Sequence, residues 1–304
     1  MTVDRGAPEP GRSVPEPTGL LVIDKEAGWT SHDVVARVRR LLGQRRAGHA
    51  GTLDPDATGV LLVGLGRATR LLRFLTVLDK EYTAEIVLGV ATSTLDASGQ
   101  VVGEWDMSGV GIDRVRQAAA ALTGPIEQVP PMVSAVKVGG RRLHALARQG
   151  VEVERQPRPV TVHRFAVEAT GDPAVLRATV RCSSGTYVRA LAADLGTALG
   201  GGAHLRALRR TRIGSFGLAA ARPVAAVGPE HVLPPAEALA HLDRVVVDAE
   251  AARLVAGGRP LERAAVGAAG DGPWTLVDGT GRLLAVYQPA GAGQLRPAVV
   301  VASS

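Results

Sequence analysis

The hydrophobic runs of this 304-residue chain are short, and none approaches the roughly 18 to 20 consecutive apolar residues that a membrane-spanning helix needs. Their lengths are those of strands. Residues 19–23 (GLLVI) and 60–64 (VLLVG) read as buried strands, and residues 81–90 alternate Tyr82, Ala84, Ile86 and Leu88 with Glu81, Thr83 and Glu85, the period of a half-buried strand. Residues 160–169 and 175–182 read as a strand pair. Between them lie helical patterns. Ser31 is the expected N-cap of a helix that places Val34, Val35, Val38, Leu41 and Leu42 on one face, and further helices are predicted over 68–78, 112–122 and 187–199. This mixture implies an α+β protein.

The remaining segments lack such periodicity. Residues 44–58 hold glycines, Pro55, His49, Asp54 and Asp56 and read as one ordered loop. Residues 128–159 are basic and rich in helix and strand breakers, with a short helical patch near 143–149, so an excursion from the core is expected there. Residues 206–212 form a second basic cluster. Beyond a proline-containing change of composition at 223–235, short strand-like runs at 245–247, 274–277, 283–287 and 299–301 suggest a small β module over about 241–304. The first 17 residues contain four prolines and no apolar stretch, which predicts a disordered tail before a main domain over 18–240.

Composition narrows the function classes. Hydrophobic residues make up 46% and charged residues 21%, as in a folded non-membrane protein. A single cysteine, Cys182, cannot form an internal disulfide, and the chain has no asparagine to glycosylate, so a reducing cytoplasm is the expected location. The net charge of +6 leans toward an anionic partner such as nucleic acid. A phosphate loop, an H-E-x-x-H zinc motif, paired C-x-x-C motifs and a G-x-S-x-G elbow are all absent, and the Gly64-Leu65-Gly66 step lacks the third glycine of a dinucleotide site.

One segment carries specific chemistry. Residues 46–59, RAGHAGTLDPDATG, closely resemble the catalytic loop of the TruB family of tRNA pseudouridine synthases, whose signature is G-H-x-G-x-L-D-P-x-A-T-G. Further matches follow in order at Asp79-Lys80-Glu81-Tyr82, at residues 128–137 (QVPPMVSAVK), at residues 184–189 (SGTYVR) and at residues 202–210 (GAHLRALRR). The resemblance therefore spans about residues 19–215. One departure is Val133, where many members carry an aromatic residue.

The resemblance implies a pseudouridine synthase catalytic domain with a mixed, largely antiparallel sheet, a thumb insertion over about 128–159 and a small C-terminal domain similar to the PUA RNA-binding module. It implies conversion of uridine 55 in the T-loop of tRNA to pseudouridine, with Asp54 as the catalytic carboxylate. Tyr82 is expected to pack on the target base, Arg189 to pair with Asp54 in a buried pair, and His49 to meet the RNA loop. Tyr187, Leu208 and Lys25 are expected to line or approach the substrate, and Arg141, Arg142 and Arg148 of the thumb to bind phosphate.

The chemistry breaks the bond from ribose C1′ to N1 of uracil and rejoins C1′ to C5, so no cofactor or metal is expected, and no obligatory protein partner. The carboxylate either attacks C1′ or removes the ribose 2′ proton. A base inside an RNA stack must first be flipped, at a few kcal/mol, and aromatic stacking returns roughly 1 to 3 kcal/mol. Taken alone, Asp54 would be a turn residue and Tyr82 a core residue. Three other readings stay open at this point: a tRNA-binding or folding protein without catalysis, a guide-dependent rRNA pseudouridine synthase, and hydrolytic loss of uracil.

Overall fold

The strand-length runs pair into one ten-stranded sheet in the computed structural model, which describes residues 16–134 and 153–302 together with 137–138, 141–142, 149 and 151. Across the sheet the order is Arg222–Pro223, Gly19–Lys25, Thr58–Leu65, Ala203–Ile213, Lys80–Leu88, Val175–Cys182, Arg158–Ala169 and Gly124–Gln128. Phe216–Gly217 and Ala47–Ala50 add at its sides. Pairing is antiparallel except where Arg222–Pro223 meets Gly19–Lys25 and where Thr58–Leu65 meets Ala203–Ile213. The sheet is mixed and largely antiparallel, as expected.

The continuous apolar character of the first strands follows from burial on both faces. Leu21, Ile23, Leu61 and Val63 pack under the Ser31–Leu41 helix through Val34, Val35 and Val38. Their neighbours Leu20, Val22, Val60 and Leu62 point the other way, onto Leu71 and Leu75. In the other half of the sheet, Tyr82, Ala84, Ile86 and Leu88 face Leu191 and Leu195 of the Val188–Ala198 helix and Val115 and Ala119 of the Ile112–Ala121 helix. Each fully buried valine, leucine or isoleucine here contributes roughly 1.5 to 3 kcal/mol, and the shared sheet joins the two halves.

Several elements differ from the sequence expectation for physical reasons. Thr30 rather than Ser31 caps the first helix, because its hydroxyl accepts from the Asp33 N–H while the Asp33 carboxylate accepts from the Thr30 N–H. Ser31 is thereby freed for another contact. Leu41 is exposed instead of buried. The expected 44–58 loop contains a strand, Ala47–Ala50, paired on Thr58–Leu65. The expected 68–78 helix is a 3-10 turn over Gly66–Leu71 followed by an α-helix over Leu72–Thr76. The 206–212 basic cluster lies on a central strand, since its charges find partners across the sheet: Arg206 with Glu85 at 2.9 Å, Arg209 with Asp24 at 2.7 Å and Arg212 with Glu81 at 3.6 Å.

The chain leaves this sheet after Gln128 and re-enters it at Arg158, its direct register partner. Within the excursion Lys137–Val138 pairs antiparallel with Arg141–Arg142. Residues 143–148 of the helical patch expected over 143–149, Arg148 among them, lie outside the described residues, as do the side chains of Arg141 and Arg142 and residues 1–15 of the expected tail.

The C-terminal strands form a separate five-stranded sheet in the order Asp243–Val246, Trp274–Val277, Leu283–Pro289, Gln294–Val300 and Leu261–Glu262, with a helix over Ala249–Ala256 that the strand-like runs did not reveal. It is seated on the larger body. Arg67, Arg70 and Arg73 donate to the carbonyls of Val301, Val300 and Ala298 at 3.0, 2.8 and 2.7 Å, and Val286 and Val299 share a buried cluster with Leu71 and Leu75. Among the described residues, no helix is long and apolar enough to cross a membrane.

Gly59, at the end of the catalytic-loop signature, fixes where the loop joins its strand. Its φ is +101°, and an added Cβ would sit 2.1 Å from the Arg210 carbonyl oxygen. Both the backbone conformation and the space exclude a side chain. Gly59→Ala is therefore expected to cost about 3 kcal/mol or more of stability, read as a lower urea midpoint at unchanged slope.

Candidate active site

The loop from Gly51 to Ala57 is clamped along its backbone. Buried Arg210, on the central strand beside it, donates to the carbonyls of Gly51, Thr52 and Val60 at 3.1, 3.3 and 2.7 Å. The Ser31 hydroxyl accepts from the Leu53 N–H at 2.9 Å and donates to the Leu53 carbonyl at 3.2 Å. The Pro55 carbonyl receives the Lys25 ammonium at 2.8 Å and the Gly28 N–H at 3.0 Å. Asp54 thus projects from a segment held on both sides.

What it meets is Arg189, near the start of the Val188–Ala198 helix. Arg189 Nε lies 3.0 Å from Asp54 Oδ2, and Nη1 lies 3.2 Å from Asp96 Oδ2 and donates to the Thr94 carbonyl at 3.0 Å. Nη2 donates to the Val133 carbonyl at 2.8 Å. That last contact uses backbone only, so it does not depend on the side chain at 133. The guanidinium is 4% exposed, whereas the Asp54 side chain keeps 45% of its surface open. The pair expected to be buried is buried on the arginine side alone.

The partial burial of the Asp54 carboxyl still pushes its pKa above the ordinary range; Arg189 opposes the shift and the Asp96 charge adds to it. Asp96 was not legible as a site residue. It sits in a tight turn where Leu95 has φ +63°, and its Oδ1 accepts from Thr94 and Ser98 while Oδ2 faces Arg189. A left-handed leucine is strained backbone, retained because the surrounding contacts over-determine it.

Asp54, Arg189, Tyr82, Tyr187 and Leu208 line one cavity of about 240 Å³, joined by Lys80 and Arg210. A second cavity of about 390 Å³ shares Asp54, Arg189 and Leu208 and is bounded by Asp56, Asp96 and Val133. Tyr82 is 8% exposed, and burial pushes its phenol pKa up, so it stays neutral. Tyr187 is fixed by Gln128, which accepts from its N–H at 2.7 Å and donates to its carbonyl at 3.1 Å.

Two of the expected substrate-contacting residues, Lys25 and His49, lie outside these two cavities. Lys25 does not line either cavity: it is 1% exposed, and its ammonium donates to the carbonyls of Glu26, Trp29 and Pro55, so it supports the loop from behind. Burial lowers its pKa to about 8, against the attraction of Asp56 and Asp54. His49 lies outside the cavity on the Ala47–Ala50 strand, edge-on to His32 with ring centroids 5.2 Å apart. Burial, with His32 and Arg210 nearby, lowers its pKa to about 4, so the ring is neutral near pH 7. Among the described residues, no group of three or more His, Cys, Asp or Glu side chains is placed to hold a metal ion.

The Ser31 contact yields a separable prediction. Ser31→Ala orphans the buried Leu53 N–H, at about 1 to 3 kcal/mol, directly beside Asp54. Thr30→Ala removes the helix cap at about 1 kcal/mol but leaves the Leu53 contact. Ser31→Ala is expected to slow single-turnover reaction about tenfold with substrate binding unchanged, and Thr30→Ala to lower Tm with the rate kept within about twofold.

Comparison with known proteins decides the family. The sequence matches the model described as "TruB family pseudouridylate synthase (N terminal domain)" over residues 39–188 and the "tRNA pseudouridylate synthase B C-terminal domain" over residues 189–252. A protein named tRNA pseudouridine synthase B from Arthrobacter sp. (strain FB24) is 46% identical, over 94% of this chain and 97% of its own. The chain belongs to the TruB family of pseudouridylate synthases. A relative of the same name from Thermobifida fusca (strain YX) is 47% identical over 94% of this chain and 99% of its own, and one from Rhodococcus jostii (strain RHA1) is 50% identical over 90% of each. Among solved structures, a chain of the "archaeal box H/ACA sRNP Nop10-Cbf5 complex" superposes with a TM-score of 0.71 over 97% of this chain and 94% of that one. At 23% identity, this likeness speaks for the TruB fold alone.

Proposed function

We propose that this chain converts uridine 55 in the T-loop of tRNA to pseudouridine, with Asp54 as the carboxylate that acts on the nucleotide. The observation that carries the reading is the half-open Asp54 carboxylate, paired with buried Arg189 at the wall of a cavity that also presents Tyr82 and Leu208. A flipped uracil entering that cavity meets an aromatic face and an aliphatic one, with the carboxylate at its ribose side.

Both routes open to the carboxylate, attack at C1′ or removal of the 2′ proton, need it ionised. Arg189 favours that form and holds Asp54 in one orientation, while neutral Tyr82 supplies a stacking surface that retains the base as it turns. The relatives' printed name, tRNA pseudouridine synthase B, supports tRNA as the substrate. In this reading the thumb closes over the RNA hairpin with Arg141, Arg142 and Arg148 on phosphates, and the five-stranded module acts as a further RNA-binding unit.

The test is carbodiimide-adduct primer extension on a tRNA transcript incubated with the protein, with the RNA mass measured in parallel. A new stop one nucleotide 3′ of position 55, with unchanged RNA mass, is expected. A mass lower by uracil less one water would mean hydrolysis, and binding without any stop would mean an RNA-binding protein.

A further inference from the structure

Three of the arginine-rich stretches of the chain differ in what neutralises them. Along Ala203–Ile213, Arg206, Arg209 and Arg212 pair with Glu85, Asp24 and Glu81, and Arg210 is buried against carbonyls. The thumb holds the second. The third covers residues 37–46, with Arg37, Arg39, Arg40, Arg45 and Arg46, inside a span from Val34 to Leu53 that contains no aspartate or glutamate.

Here the charges are left open. Arg39, Arg40, Arg45 and Arg46 are exposed. Among the described residues, their carboxylate contacts amount to one loose pair, Arg45 with Glu16 at 4.0 Å, in which the Arg45 side chain is 92% exposed. An unpaired guanidinium in water can give its planar fork to phosphate without first breaking an ion pair.

Their placement ties them to the site. The Ser31–Leu41 helix begins at the catalytic loop, where Ser31 bonds Leu53 and His32 packs on His49. Its exposed face runs through His32, Ala36, Arg39 and Arg40, spacings that share one side of a helix, with the exposed Asp33 held in the cap by Thr30. At 1.5 Å per residue, Arg39 and Arg40 lie about 11 to 12 Å beyond His32 along the axis, the rise of roughly three to four nucleotides of a strand. Arg45 and Arg46 then lead into the Ala47–Ala50 strand, which returns the chain to the loop. The basic strip therefore starts beside the loop that carries Asp54 and runs along the helix away from it.

We infer that Arg39, Arg40, Arg45 and Arg46 form a docking surface for the phosphate backbone of the substrate RNA outside the nucleotide being modified. This rests on the proposed function only in naming RNA as the partner. The contact is electrostatic and acts through counterion release, so it contributes to binding and to its salt dependence, whatever the base sequence.

The test uses the full chain as Arg39→Gln/Arg40→Gln and as Arg45→Gln/Arg46→Gln, with a full-length tRNA transcript titrated between about 50 and 200 mM salt. Each double variant is expected to weaken binding and to reduce the slope of log K against log salt by roughly 1.4 to 1.8, that is 0.7 to 0.9 for each lost phosphate contact. The single-turnover rate at saturating protein should stay at the wild-type value, because none of these residues lines either cavity at Asp54. An unchanged slope in both variants, or a lower saturated rate with unchanged binding, overturns the inference. If the slope falls as expected while the wild-type protein makes no pseudouridine, the docking surface stands and the isomerase reading fails.

Discussion

Asp54→Asn is expected to abolish isomerisation, lowering the single-turnover rate on the order of 10⁴-fold or more while the protein stays folded and still binds tRNA. Asparagine matches aspartate in shape, and its amide oxygen can accept from Arg189 Nε at the 3.0 Å separation the carboxylate uses. What it cannot do is carry the negative charge that both attack at C1′ and removal of the 2′ proton require. The backbone clamps at Gly51, Thr52, Leu53 and Pro55 do not involve the Asp54 side chain, so the loop should keep its path. Loss of the primer-extension stop at unchanged Kd and Tm is the expected readout.

Arg189→Met should be nearly as damaging to activity, and unlike Asp54→Asn it should also destabilise the protein. Removing this buried cation leaves Asp54 and Asp96 facing each other without compensation and orphans the Thr94 and Val133 carbonyls. Breaking one side of a fully buried pair costs roughly 3 to 5 kcal/mol, and the partial solvent access of Asp54 and Asp96 places the expected cost below that. Loss of orientation and charge support should slow reaction by about 10²- to 10³-fold near neutral pH.

The pH profile gives the sign. Burial already raises the Asp54 pKa against the opposing Arg189 charge, so the wild-type rate rises with pH as Asp54 ionises and is level above that. Without Arg189 the opposition is gone, and the rising limb moves to higher pH, with part of the loss recovered there. A rising limb left where the wild type has it would separate Arg189 from the ionisation of Asp54.

The alternation at Tyr82, Ala84, Ile86 and Leu88 and the doubly buried runs around Ile23 and Leu62 were legible because one physical pattern, side-chain burial on a pleated strand, determines them. The central strand Ala203–Ile213 was not. Its arginines look like loop or surface until Glu81, Glu85 and Asp24, far away in sequence, are brought beside them.

The same limit applies at the site. The motif resemblance pointed to Asp54, Arg189, Tyr82, Tyr187 and Leu208, which line one cavity in the fold. Asp96 and Ser31 were missed because their significance lies in the partners to which the fold delivers them, the guanidinium of Arg189 and the backbone of Leu53. Lys25 was placed at the substrate by its motif, but its three carbonyl bonds turn it toward the back of the loop. A motif marks a residue as required without saying whether it touches substrate or holds the residue that does.

The central claim, that Asp54 set by Arg189 isomerises a uridine in the T-loop, is tested most directly by tritium release. A tRNA transcript made with 5-tritiated uridine is mixed with excess wild-type or Asp54→Asn protein, and bound RNA and released tritium are counted in the same samples. The account predicts stoichiometric release of one tritium per tRNA with the wild type, and bound RNA without release for the variant. Release by Asp54→Asn at a rate near that of the wild type would contradict it.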